Sequence, residues 1–181
     1  PQIEFPPYDA EKAHSHDFIR YLNFLLQFTQ PTNPDEAGLM ARFARIGIGP
    51  GQPFDATALS PARLAAIDAG VADAKAAMAE KAKATLSSNG LFGSRAFLKN
   101  DYLTRAIGAE KGLYGNSIEE AWYGGYVGDG NALSMIHFSK DALPPAKFFW
   151  SVTLYALPDR FLYANDLKRY SIGDRTPGLK Y

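Results

Sequence analysis

From Leu143 to Tyr181 the chain reads LPPAKFFWSVTLYALPDRFLYANDLKRYSIGDRTPGLKY, and this stretch constrains the fold more than any other. Phe149, Ser151, Thr153 and Tyr155 alternate with Trp150, Val152 and Leu154, which predicts a strand. That strand is apolar on both faces, as expected of a central strand between layers. Pro144 and Pro145 lead into it, at an end where a missing amide is tolerated. Upstream, Leu133, Met135 and His137 alternate with Ser134, Ile136 and Phe138, predicting another strand after a hairpin-type turn at Gly128-Asp129-Gly130-Asn131. A β-rich tail with its strands barely paired by Tyr181 is expected to belong to a larger polypeptide. Its open edge would leave amides and carbonyls unpaired. The expected cover is either a remaining segment of the same precursor or a second copy in a homo-oligomer.

The first half has a different composition, rich in alanine and helical in period, and the two join near residues 87–100. Ala13, Phe18, Tyr21, Leu22, Leu25 and Phe28 form one helical stripe that should stop before Pro31. Asn33-Pro34-Asp35-Glu36 restarts a helix, with a capping Asn, proline in the first turn and acids favoured by the dipole. Leu39, Met40, Phe43 and Ile46 face its core. Ser60-Pro61 opens a third helix running to about Leu86, and a short one spans Asn100 to Lys111. These observations predict an α+β chain. Residues 1–99 form a helical region, packed against a partial antiparallel β-sandwich in residues 100–181.

Nineteen basic residues balance nineteen acidic ones, so no global field recruits nucleic acid. No apolar run approaches the roughly 20 residues of a membrane span. Without cysteine there is neither a disulfide framework nor thiolate chemistry. No signal peptide is visible, and the first residue is Pro1 rather than Met. Nucleophile elbow, P-loop, dinucleotide fingerprint and zinc helix motifs are all missing. Gly47-Ile48-Gly49-Pro50-Gly51 looks superficially like a phosphate loop, but it follows a helix and Pro50 removes a donor, so a helix-ending turn explains it better. His14 and His16 diverge on a helix and cannot grip one metal, and His137 stands alone. No metal or other cofactor is expected.

The candidate pocket residues are Glu119, Glu120, Tyr155, Arg169, Tyr170, Asp174 and Arg175. Glu119 and Glu120 open a strand or turn, so one of the pair can point inward. The run Asn165 to Thr176 gathers arginines, aspartates, a tyrosine and hydroxyls around Gly173. An arginine there can hold a carboxylate or phosphate bidentately, or Asp174 and Arg175 can tie down a loop, and the structural reading is preferred. Two functions follow. One is a binding module that takes a small molecule or a partner on the aromatic residues Trp122, Tyr123, Tyr126, Trp150 and Tyr155. The other is a hydrolase using a polar cavity built from Glu119 or Glu120, Tyr155, Arg169, Tyr170 and Asp174, in one variant with a metal held by a carboxylate and His137. The binding module is favoured because the catalytic signatures are missing.

Several linked motifs resemble one family. They are Asp101-Tyr102-Leu103-Thr104-Arg105-Ala106, Leu113-Tyr114-Gly115-Asn116-Ser117 and Glu119-Glu120-Ala121, followed by Leu143-Pro144-Pro145, Phe149 through Tyr155, and Asn165 through Arg169-Tyr170. The turn from Ile46-Gly47-Ile48 to Pro53-Phe54-Asp55 before a long alanine-rich helix fits as well. The pattern is similar to an uncharacterised, mostly bacterial family with paired DUF1254 and DUF1214 domains. It departs from it in a shorter hairpin around Gly128-Asp129-Gly130 and in Lys168, where an Asn is usual. The resemblance implies that residues 1–99 link an upstream β-sandwich to a jelly-roll-like second sandwich whose closing strands follow Tyr181. It also implies a periplasmic or secreted protein, and it carries no established activity.

Overall fold

A computed structural model describes residues 3–29 and 33–179. Among the described residues six α-helices come first: α1 (Ala10–Ala13), α2 (Phe18–Leu26), α3 (Ala37–Ala44), α4 (Pro61–Ala84), α5 (Arg95–Leu98) and α6 (Tyr102–Gly112). Four short strands follow: β1 (Ser151–Thr153), β2 (Tyr155–Ala156), β3 (Phe161–Leu162) and β4 (Ser171–Gly173). The chain is therefore α+β, as the change of period predicts. It divides into two compact units, one reaching to Tyr126 and one beginning at Val127. The change in composition near residues 87–100 lies within the first unit, because α6 packs on α4.

The long first stripe is split into α1 and α2. At the break the Ser15 hydroxyl donates to the Lys12 carbonyl at 2.8 Å and accepts the Asp17 amide at 3.2 Å. Such local side-chain bonds offer the backbone an alternative to the helix. His16 then reaches α4, its Nδ1 2.8 Å from Asp68 Oδ1. Pro31 lies outside the described residues. The restart at Asn33 forms as expected: the Asn33 side chain accepts the Asp35 amide at 2.9 Å, and a short 3-10 turn over Pro34–Glu36 feeds α3.

Ile19, Ile48 and Ile67 bring α2, the loop after α3, and α4 into one buried cluster, flanked by Phe18, Leu22, Leu26, Phe43, Phe54 and Leu59. Beside it Asn23 is 1% exposed. Its Nδ2 donates to the Gly47 and Gln52 carbonyls at 2.8 and 2.9 Å, and its Oδ1 accepts the Gly49 amide at 2.9 Å. The Gly51 amide goes to the Asn23 carbonyl at 2.9 Å. The amides of this glycine-rich loop are thus turned inward onto protein acceptors, which a phosphate cradle cannot allow. In α6, which packs on α4, Ile107 is fully buried, and Leu91 is nearly so. Ser88 exchanges two hydrogen bonds with the Tyr123 backbone, at 2.7 and 2.8 Å, closing this unit.

In the second unit β1 pairs antiparallel with β4, placing Ser151 opposite Gly173, and β2 pairs antiparallel with β3. The expected strand over residues 133–138 does not form a ladder. Leu133 and Met135 are 98% and 85% exposed. Asn131 is held by an Asx turn on Asp129 rather than by a hairpin. The strand read as central is short and has one partner at a time, β4 along β1 and β3 along β2. Alternation marked where an extended backbone is favoured, but a ladder also needs a neighbouring strand.

Candidate functional site

Register builds the site. Gly173 lies against the Trp150 backbone so closely that an added Cβ would sit 2.1 Å from the Trp150 carbonyl oxygen. This approach brings the turn after β4 onto the residues before β1. Asp174 Oδ1 accepts the Trp150 amide at 3.1 Å. Arg175 donates from Nη2 to the Phe148 carbonyl at 2.9 Å, and its guanidinium lies 5.1 Å from the centre of the Phe149 ring, a cation–π distance. Thr176 Oγ1 accepts the Gly173 amide at 2.9 Å. Around these contacts an open cleft of about 420 Å3 is lined by Phe149, Trp150, Ser151, Arg169, Ser171, Gly173, Asp174, Arg175, Thr176 and Pro177.

Three of the seven candidate residues, Arg169, Asp174 and Arg175, share this cleft. Two of the three have structural work: Asp174 and Arg175 fasten the segment before β1. Arg169 differs. Asn165 fixes its backbone, accepting the Arg169 amide at 3.1 Å and donating to its carbonyl at 2.8 Å, while its guanidinium has no ion pair among the described residues. Tyr155 pairs with Leu162 in the β2–β3 ladder and is 53% exposed. Tyr170 precedes β4, its carbonyl accepting the Leu154 amide at 3.3 Å. Neither tyrosine lines the cleft. Phe149 and Ser151 do line it but lay outside the candidate set. The signal for them was register, since Ser151 faces Gly173 across the ladder.

Glu119 and Glu120 are exposed on a turn of the first unit. Hydrogen bonds from its own backbone amide and from the Ser117 hydroxyl hold the Glu119 carboxyl below the ordinary glutamate range. That direction keeps it ionised, the opposite of a carboxylic acid poised to donate a proton. His137 is exposed in the second unit. Among the described residues no group of three or more His, Asp or Glu gathers at a spacing that would hold a metal. The aromatic set divides too, with Trp122, Tyr123 and Tyr126 in the first unit and Trp150 and Tyr155 in the second.

Residues 124–181 match the family described as protein of unknown function (DUF1214). The matched segment contains the second unit and its cleft. No curated protein matches the chain. The crystal structure of the VPA0106 protein from Vibrio parahaemolyticus is similar to it, with a TM-score of 0.55 and 23% identity over 97% of this chain and 44% of that one. The likeness supports the fold. The present chain spans less than half the length of that protein. No helix among the described residues is long and apolar enough to cross a membrane.

Proposed function

We propose that the chain carries a non-catalytic binding module, part of a larger two-domain protein, in which the helices link an upstream DUF1254-like domain to the DUF1214-like unit. One observation carries this reading. Among residues 127–179 only Gly173 is buried, while Phe148, Leu154, Phe161 and Leu167 are 81%, 63%, 74% and 79% exposed. A unit with so many large apolar side chains and no core of its own requires cover. Further strands of the same polypeptide are the best cover, since the ends of the ladders offer unpaired amides and carbonyls for strand addition. A second copy is the other source. The cleft beside β1 and β4 then takes a small polar ligand, with Arg169 as its cation and Phe149 and Trp150 as its apolar wall. The resemblance carries the further proposal of a periplasmic or secreted location, which cell fractionation tests.

Light scattering on the 181-residue chain, with a dye that fluoresces on apolar surface, tests the module. Self-association or strong dye binding is expected, with both removed when the longer polypeptide is used. A well-dispersed, dye-negative monomer of the short chain would sink the reading. The hydrolase alternative has less support, because one Asp174 oxygen is engaged by the Trp150 amide and neither Glu119 nor Glu120 lines the cleft.

A further inference from the structure

In the first unit, the end of α3 and the start of α4 border a second open cleft, of about 820 Å3, lined by Arg42, Phe43, Arg45, Ile46 and Arg63. Three of the chain's nine arginines therefore surround one opening, although nineteen basic residues balance nineteen acidic ones overall. Composition does not account for this local excess. No carboxylate lines the cleft, and none of the three guanidiniums has an ion pair among the described residues.

Arg63 occupies the first turn of α4, where the helix dipole disfavours a cation, and no acid stands in that turn to offset it. One N–H of its guanidinium donates to the carbonyl of Arg45, the residue that caps α3, which fixes the two helix ends together. A guanidinium has five N–H donors, so most remain for another acceptor. The Arg42 and Arg45 side chains make no hydrogen bond among the described residues, and both are exposed. Phe43 packs against the Ile19 cluster from the inner side of the cleft, and Ile46 is 36% exposed at its edge. The opening thus combines a cationic rim with an apolar wall.

We propose that this cleft binds an oxyanion, a phosphate or a carboxylate, that carries a short apolar group. The guanidinium forks match the planar or tetrahedral oxygen sets of such a head, and Phe43 and Ile46 cover the apolar part. The start of α4 adds the positive end of its dipole. This site is separate from the cleft of the second unit, and neither reading depends on the other.

Calorimetric titration of the 181-residue chain with hexyl phosphate, hexanoate and inorganic phosphate tests the proposal. Binding of at least one hexyl compound is expected, weakening with added salt. The stronger of the two identifies the head group, phosphate or carboxylate. An Arg42→Gln/Arg45→Gln variant should bind it roughly tenfold more weakly with an unchanged melting temperature, because neither side chain holds the fold. Ile46→Ser should weaken the hexyl compound and leave inorganic phosphate as it was. Undetectable binding of both hexyl compounds at millimolar concentration would overturn the site, as would undiminished binding by the double variant. Inorganic phosphate binding as tightly as hexyl phosphate would overturn the apolar half.

Discussion

Asn23 holds Gly49: the Asn23 side-chain oxygen accepts the Gly49 amide at 2.9 Å in the interior of the first unit. The same amide group donates to Gly47 and Gln52, so each buried polar atom of the side chain has a partner. This arrangement lets a loop with few side chains of its own carry Ile48 into the core against Ile19 and Ile67.

Replacing Asn23 with Leu keeps the branching at Cγ, in a somewhat larger side chain, and removes all three side-chain bonds, leaving buried backbone groups unpaired. The expected loss is about 3 kcal/mol, read as a lower denaturant midpoint. Asn23→Asp should be at least as damaging, because a carboxylate cannot donate to the Gly47 and Gln52 carbonyls and would face them with charge. Equal stability of Asn23→Leu and the parent chain would show that the loop is not anchored here.

The helices were legible because their signals are local. Asn33-Pro34 and Ser60-Pro61 each carry a cap at the helix start and are found in place, and the short helix expected over Asn100 to Lys111 forms as α6, where the structure shows Asp101 as its cap. Asn23 was not legible. It sits among Leu22, Phe24 and Leu25 as one polar residue in an apolar stripe, and only the fold shows that a glycine loop some twenty-five residues later (roughly seven helical turns of chain) needs its amide. The strands were half legible. Period two located β1, but residues 133–138 show the same alternation without a ladder, since pairing depends on what lies beside a strand. Of the candidate residues, the cleft gathers those that are near neighbours in sequence, Arg169, Asp174 and Arg175, and not the glutamates, which belong to another unit.

Acid should weaken the first unit through its capping aspartates. The Thr104 amide and hydroxyl hold Asp101 below the usual aspartate range, and the Thr57 hydroxyl and amide do the same for Asp55. A carboxyl whose folded pKa lies below its unfolded one stabilises the fold above the unfolded value and loses that contribution as pH falls through the folded value. Stability should therefore be level near neutrality and decline below roughly pH 4. Asp101→Asn keeps a capping oxygen without the titration, so the gap between parent and variant should narrow as pH falls. A gap that stays constant down to acid pH would refute the assignment.

Lys168 has φ +49°, a left-handed conformation that costs an ordinary side chain and that Asn or Gly adopts more readily. Lys168→Asn or Lys168→Gly should stabilise the Asn165–Arg169 turn by about 0.5–1 kcal/mol. Trp150 fluorescence during unfolding, with Trp122 replaced by Phe, reads out the second unit. A lower midpoint for both variants would mean that the lysine side chain contributes more than its backbone costs.

Gly173 is the position where the cleft of the second unit should be most sensitive. Its missing Cβ would meet the Trp150 carbonyl oxygen at 2.1 Å, and backbone cannot rotate aside as a flexible side chain can. Gly173→Ala must therefore push β1 and β4 apart, at a cost of about 2–3 kcal/mol by comparison with overpacked interiors. The displacement would carry Asp174 away from the Trp150 amide and Arg175 away from the Phe148 carbonyl, opening the cleft at both fastenings. Hydrogen exchange should show faster exchange in β1 and β4 with the α4 amides unchanged, a pattern that separates local opening from global unfolding. Asp174→Ala, which removes the acceptor alone, should cost about 1 kcal/mol, and Asp174→Asn, which keeps an oxygen there, should cost less. If Gly173→Ala leaves β1 and β4 as protected as before, the close approach of Gly173 to Trp150 is not what shapes the cleft.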